Sequence, residues 1–579
     1  LAEAEIRPRG KELHDTMAAF HHLQPDIPAN LQFVASFYDY PEPWKHLAEA
    51  EPIIYGCHDV DAMQHIMRPT EHGQWKLLDD MERRGVLAGY TRHVQGLWPI
   101  LVDASNRGIP VSPKGHAEFG ASLESERDEI DSTMQGLVPE GLRNVLPKAG
   151  YVRAPKDMTG MIQREFEVMN SDTLQVEKVS RWCRLQPFKP SAGKTGQLPR
   201  YLRWKKLAVP RDHDGKETTN KDELKALYER TGDPLLAAVL DQRENSTWLN
   251  NHMENWRPGP DGKVHPTFTF APGTGQLSAR RPNCQNAPKH GDEDRPRKVE
   301  LAKAFRRMVA APEGYQLVEF DYKSFHVLTL GFNARSGDYM RIARMDMHSF
   351  FGSYLIGQPI SFSLPDDELR AQLRWFKSDP HRKLIRDKRA KPSILGWGFC
   401  LGPKKMYEKN KKSFNSWTEC RDVQDQLKAL FPGIPRYHQT VQAEAHTKGY
   451  LTTPHGYIRN FWEVFRWDAK RQRYMNGDDA EKAAAYRPAN NAFGHLKDAM
   501  LRLDKQGWMK RAGFINQIHD SLLFLMPEGI MDEAIPIIKA EMERKSDVLV
   551  DSVVAPDGLW CEVEVSIGRD WAGMEEVRV

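Results

Sequence analysis

Two aspartates, Asp321 and Asp520, each close an apolar run that reads as a β-strand, "YQLVEFD" and "FINQIHD". A carboxylate at a strand end is most often a turn former. Two of them held together serve a specific chemistry: a pair of divalent ions about 4 Å apart activates an attacking hydroxyl and stabilises a leaving pyrophosphate. Such ions take hard oxygen ligands held rigidly. A third element is "RDKRAKPSILGWGFCLG", residues 386–402, which has its positive charge at one end and its aromatics after it. Lys391, Leu395 and Phe399 are four apart and share one helical face. Its cationic end would grip a triphosphate and its apolar end would pack on a base, although taken alone the stretch reads better as an amphipathic helix with a basic first turn. "SAGKTGQ" (191–197) ends like a phosphate-binding P-loop, but Phe188 stands where the first glycine must be and no strand precedes it.

These groups must be positioned by strands and helices legible nearby. "TFTFAPGTG" reads as a strand entering a turn, and "FINQIHDSLLFLM" as two short strands hinged on His519-Asp520. A mainly helical block fills 341–500. Residues 94–150 read as helical, and the Pro/Gly/Lys-rich stretch 186–218 as loop. "KDELKALYERTGDPLLAAVLDQRENSTWL" reads as a helix pair broken at Thr231-Gly232-Asp233-Pro234.

At 579 residues the chain exceeds one core, and length suggests three or four domains or subdomains. No run of about 18 apolar residues predicts a membrane span. The first residues lack the apolar segment of a signal peptide, and the missing initial Met suggests a processed or truncated piece. Six scattered cysteines without CxxC spacing argue against a zinc site or disulfide framework, and for a reducing, cytoplasmic setting. The net charge of +3 hides two basic stretches. Residues 181–206 carry eight Lys/Arg and no acid among Trp, Phe and Tyr; residues 377–391 carry seven against two Asp. Basic stretches interleaved with aromatics suit a phosphate backbone.

In order along the chain, "TGQLSARRPNCQNAP" (274–288), "DYKSFHVLTLGF" (321–332), Lys391 to Gly402 and "QIHDSLLF" (517–524) resemble the pre-palm motif and motifs A, B and C of family A DNA polymerases. This is the group of bacterial DNA polymerase I and many phage replicases, and the chain looks bacteriophage-like. "EVEVSIGRDW" is similar to the family's last strand and ending. The resemblance implies an α+β right-hand polymerase: a palm with an antiparallel sheet, and helical fingers and thumb. Residues 1–93 resemble the C-terminal part of an α/β ribonuclease H-like 3′–5′ exonuclease domain. Thumb and linker would span 94–265, the first part of the palm 266–340, fingers and connecting helices 341–500, and the second part of the palm 501–579.

The resemblance further implies template-directed DNA synthesis on a primer-template, with dNTPs and two Mg2+ ions for which Mn2+ can substitute. Asp321, Asp520 and the Tyr322 carbonyl would hold the metals. Lys391 would contact the triphosphate, and Leu395, Phe399 and His326 would line the nucleotide site. Gln276, Asn283, Gln285, Arg459, Lys482, Asn490 and His519 would face primer or template. Tyr55 and Asp59 match the third exonuclease motif, Tyr-x-x-x-Asp; the acidic motifs expected upstream are not in this sequence, so that centre is not expected to be complete.

The departures from the family pattern raise the sharper questions. His326 stands for the glutamate that walls off a ribose 2′-hydroxyl, which implies retained but altered sugar discrimination. Ser521 stands for an auxiliary glutamate in motif C, and Leu395 for an aromatic in motif B. The family's arginine four before the lysine aligns with Asp387, leaving Arg386 or Lys388 to supply that charge, and Pro392 implies a kink or a later helix start. Gln276 replaces an arginine that donates to the minor groove. Glutamine also accepts, which points to tolerance of a 2-amino-modified adenine. Two rival readings are a single-subunit RNA polymerase and a DNA-binding protein that has lost catalysis.

Overall fold

Residues Tyr315–Tyr322 (β1) alternate between a buried and an open face, with Val318 and Phe320 inaccessible and Asp321 exposed. In this computed structural model, which describes residues 14–40, 43–67, 76–169, 175–191, 196–212, 214–288 and 296–578, β1 is the centre of a five-stranded antiparallel sheet. The other strands are Phe514–Ile518 (β2), Ser521–Pro527 (β3), Val563–Gly568 (β4) and Glu575–Val577 (β5), in the order β2-β3-β1-β4-β5. The strand readings at 315–322 and on either side of His519-Asp520 match these elements. Residues Phe514–Ile518 and Ser521–Met526 are buried throughout, polar Asn516, Gln517 and Ser521 included, because both faces of β2 and β3 are covered.

Around the sheet run the helices Phe325–Asn333 (α1), Met347–Leu355 (α2), Asp366–Ser378 (α3), Lys391–Gly398 (α4) and Ala480–Lys505 (α5). At two of their contacts a side chain in place of glycine would force a neighbour to shift. A Cβ on Gly398 of α4 would stand 2.8 Å from Leu330 Cδ2 of α1, and one on Gly352 of α2 would meet the Phe376 ring of α3 at 2.9 Å. Overfilling such a contact costs about 1–3 kcal/mol.

The chain divides into two compact units, Val111–Gly262 and the remainder. In the first, helices Pro113–Leu137 and Pro234–Thr247 enclose a core that includes Met134, Leu198, Tyr201, Leu235 and Val239. The break at 231–234 is as read: Gly232 is left-handed at φ 63°, and Asp233 caps the second helix. Two readings need correction. Residues 145–151 form a strand of a three-stranded sheet with Met161–Met169 and Val176–Leu185, not a helix. The supposed loop 186–218 contains the helix Gln197–Trp204, whose Leu198, Tyr201 and Leu202 are buried. Positions 192–195, the heart of the P-loop-like stretch, lie outside the described residues, as do 1–13.

Every regular element among the described residues of 14–93 is helical. These helices gather on Phe20, Val34, Trp44, Ile66 and Met81, and pack on Ile458 of the larger unit. Among the described residues no helix is long and apolar enough to cross a membrane, and the six cysteines are free thiols.

Candidate active site

Asp321 sits one residue from the end of β1, with Ser521 of β3 and Glu564 of β4 as its direct cross-strand neighbours. Asp520 lies in the two-residue turn joining β2 to β3, and its carbonyl accepts from the Tyr322 N–H at 3.3 Å. Both aspartates therefore emerge at one end of the sheet's middle strands. The turns that present them are strained: Ser324 and His519, neither of them glycine, both hold φ 54°. The Ser521 hydroxyl donates to Glu319 Oε1 at 2.7 Å, so the residue in place of the family's glutamate is occupied within the sheet.

One cavity of about 530 Å3 collects Asp321, Tyr322, His326, Arg386, Lys391, Leu395 and Asp520. Asp346 and Glu564 bring the carboxylates on its wall to four, and Glu564 is the one paired directly across the sheet from Asp321. Such a set fits hard divalent cations rather than soft ones. Phe399 closes α4 beside His326, ring centroids 6.3 Å apart, and Phe493 lies 5.4 Å from the same imidazole. Burial lowers the His326 pKa, while Asp520 works the other way; the net effect is a neutral ring at neutral pH.

Pro392 in the first turn of α4 is absorbed upstream. Residues Arg386–Ala390 form a π-helical turn, in which the Lys391 N–H reaches back five residues to the Arg386 carbonyl. The wider turn brings Arg386 over Lys391, and Arg386 lines the cavity whereas Lys388 does not. Arg386 Nε also donates to Asp346 at 3.0 Å. Burial opposes the Asp346 charge, but Arg386 and two hydrogen bonds from Ser349 outweigh it and hold the carboxyl below its ordinary range.

The expected primer and template residues divide into two groups. Gln276 Nε2 lies 3.3 Å from His519 Nδ1, Gln517 Nε2 donates to the His519 carbonyl, and Gln285 Nε2 donates to Gln517 Oε1 at 3.0 Å. Gln285, Gln517, His519 and Gln276 thus form one relay along the β2–β3 turn. Asn283 caps the short turn Cys284–Asn286 next to it. The others are engaged by protein. Asn490 is fully buried and donates to the Thr274 carbonyl at 3.0 Å; Arg459 pairs with Asp26 at 3.5 Å; Lys482 pairs with Asp479 at 2.8 Å. None of these three lines the cavity.

Tyr55 and Asp59 are neighbours on helix Pro52–Met67, where Asp59 Oδ1 accepts from Trp44 Nε1 at 2.7 Å and raises the Tyr55 pKa. Among the described residues no group of three or more His, Cys, Asp or Glu is gathered as a metal cage.

Several cavity residues escaped the sequence reading. His348, in the first turn of α2, is held neutral by burial, its pKa lowered to about 4. Arg370 and Arg374 come from α3, where they join Lys377, the first residue of the basic stretch 377–391. Their i, i+4, i+7 spacing was the available signal.

Comparison with known proteins identifies the family. The family model described as DNA polymerase family A matches residues 178–349 and 374–573. DNA polymerase I of Mycobacterium tuberculosis is 28% identical over 368 residues, covering 61% of this chain and 35% of that protein. The thermostable DNA polymerase I of Thermus filiformis is 25% identical over 367 residues (62% and 38%), and the DNA polymerase I of Deinococcus radiodurans is 23% identical over 525 (82% and 47%). The chain thus spans less than half the length of these relatives, all of them bacterial, which lends no support to a bacteriophage type. The structure described as the POL domain of Pol1 from M. smegmatis, in complex with DNA primer-template and dNTP, superposes with a TM-score of 0.67 at 20% identity, covering 97% of this chain and 82% of that one. With a matched model over most of its length and both motif aspartates in one cavity with Lys391, the chain belongs to DNA polymerase family A.

Proposed function

We propose that this chain is a DNA-directed DNA polymerase that extends a primer 3′-hydroxyl with dNTPs on a template. The observation that carries the reading is the convergence of Asp321 and Asp520 with Lys391 and Arg386 on one cavity. Asp321, Asp520 and the Tyr322 carbonyl would hold two Mg2+ ions, which when bound neutralise charge on the reacting phosphate. In the reaction the 3′-oxygen forms a bond to the α-phosphorus as the bond to the α–β bridging oxygen breaks. Pyrophosphate departs with the electron pair, and the hydroxyl proton passes to solvent. The chain's own contribution is alignment and charge. Lys391 and Arg386 hold the phosphates that leave, while Leu395 and Phe399 form an apolar wall for the base.

His326, wedged between Phe399 and Phe493, is where a ribose 2′-hydroxyl would be refused by bulk. At the primer end, Gln276 has its amide nitrogen on His519, which leaves its carbonyl oxygen to accept from a minor-groove amino group. That acceptor supports tolerance of a 2-aminoadenine.

The test is primer extension with dNTPs and, separately, NTPs, using the wild type and Asp520→Ala. Extension with dNTPs that disappears in Asp520→Ala is the expected result. Extension with NTPs alone would favour an RNA polymerase, and extension undiminished in the variant would overturn the site.

A further inference from the structure

We propose that α3 is a second phosphate-binding wall of this cavity, gripping inorganic pyrophosphate and the terminal phosphates of the incoming nucleotide through Arg370, Arg374 and Lys377. The inference rests on the polymerase reading and names how the leaving group is held. The sequence "DDELRAQLRWFKS" sets these three cations on one face of a helix and Leu369, Leu373 and Phe376 on the buried side.

The helix is held firmly enough to aim them. Phe376 covers Gly352 of α2 at a spacing that admits no side chain there. At the first turn, Arg341 Nε donates to Asp366 at 2.7 Å, while its other nitrogens reach the Phe362 and Leu364 carbonyls. Near the last turn, the Arg382 guanidinium stacks 3.7 Å over Trp375.

Charge accounting in the cavity points to the ligand. Arg386 is answered by Asp346, and Lys323 by Glu564 at 3.3 Å. Arg370, Arg374, Lys377 and Lys391 line the same space and have no acidic partner among the described residues. With Asp321 and Asp520 on the same wall assigned to the metal ions, four cations that have no ion-pair partner, in a concave site of about 530 Å3, match a compact polyanion such as pyrophosphate. A duplex backbone would instead need its cations spread along a surface. The three α3 side chains are exposed and bear on no core contact, so their removal leaves the fold intact.

The experiment compares the wild type, a triple variant (Arg370→Gln, Arg374→Gln, Lys377→Gln) and a charge-preserving triple variant (Arg370→Lys, Arg374→Lys, Lys377→Arg). Three quantities are measured on the full chain: the affinity for inorganic pyrophosphate by calorimetry, the half-saturating pyrophosphate in reversal of primer extension, and the affinity for primer-template. Neutralisation is expected to weaken both pyrophosphate values about tenfold or more, with charge-preserving substitution restoring most of the loss and DNA affinity unchanged. Pyrophosphate binding unaltered by neutralisation overturns the proposal. So does a loss confined to primer-template affinity, which would assign the face to nucleic acid. Calorimetry needs no turnover, so a chain that extends no primer would defeat the polymerase reading while this test still reports on α3.

Discussion

The backbone N–H of Lys391 bonds to the carbonyl of Arg386, five residues back, and both side chains reach one cavity. In an α-helix, residues five apart point about 140° from each other, whereas a π-turn nearly superposes them. Where the family pattern sets an arginine four residues before the lysine this chain has Asp387, and the π-turn brings Arg386, one residue earlier, to the side of Lys391. Arg386→Ala is therefore expected to lower kcat/KM for dNTPs about tenfold or more, the scale of one charge-assisted hydrogen bond. Lys388→Ala should change it less than about twofold, as befits a side chain off the cavity wall. Single-turnover incorporation against dNTP concentration distinguishes the two.

His326 is packed edge-on against Phe399 and Phe493, and its buried Nδ1 has no hydrogen-bond partner. It occupies space rather than exchanging protons. His326→Ala should raise the ratio of ribonucleotide to deoxyribonucleotide incorporation about tenfold or more, with dNTP use affected less. An unchanged ratio would remove the residue from sugar selection.

Gln276 faces His519 with its amide nitrogen. In competition between dATP and its 2-amino analogue, the wild type should use the analogue at least as well as dATP, and Gln276→Arg should shift the ratio toward dATP about fivefold, the scale of one neutral hydrogen bond. A ratio indifferent to the substitution would leave Gln276 with only its place in the relay.

Burial also sets how the protein responds to acid. His22 and His495 are pushed down to about 4, and His93 to about 3, each mainly by desolvation. A folded pKa below the unfolded value of 6.5 means that the unfolded chain binds more protons between the two, so stability falls as pH drops through that window. Each such histidine costs up to about 1.4 kcal/mol per pH unit below 6.5. The melting temperature is expected to fall between pH 7 and pH 5, and His495→Gln should show the shallower slope in a thermal-unfolding series.

The sequence was most informative where one strand carries its own signal. Tyr315–Tyr322 and the pair around His519-Asp520 are apolar, β-branched and bounded by turns, and they carry both aspartates. The three-stranded sheet of residues 145–185 was not legible. Its strands, such as "MIQREFEVM", alternate with charged residues and are only half buried, so their period-2 signal is weak. The helix Gln197–Trp204 was hidden by flanking Pro, Gly and Lys that read as loop. Asn490 and Lys497 illustrate a different limit. Both are buried and hold the turn before Gln276, through the Thr274 and Gly275 carbonyls, and no local pattern announces a polar residue that supports a distant loop.

The tight approach of Gly398 to Leu330 has a mechanical consequence. The C-terminal end of α4 is fixed there, and the Gly398 carbonyl is also held by His438 Nε2 at 2.9 Å. The other end leads into the π-turn, where the hydrogen-bond ladder is wider. Such a helix behaves as a lever with its pivot beside Phe399 and its moving arm at Lys391. Over its eight residues, about 12 Å long, a rotation of about 20° at the pivot would carry the lysine about 4 Å and Leu395 about 2 Å while Phe399 barely shifts. For one and the same rotation, the grip on phosphate would therefore change more than the contact of the base with Phe399.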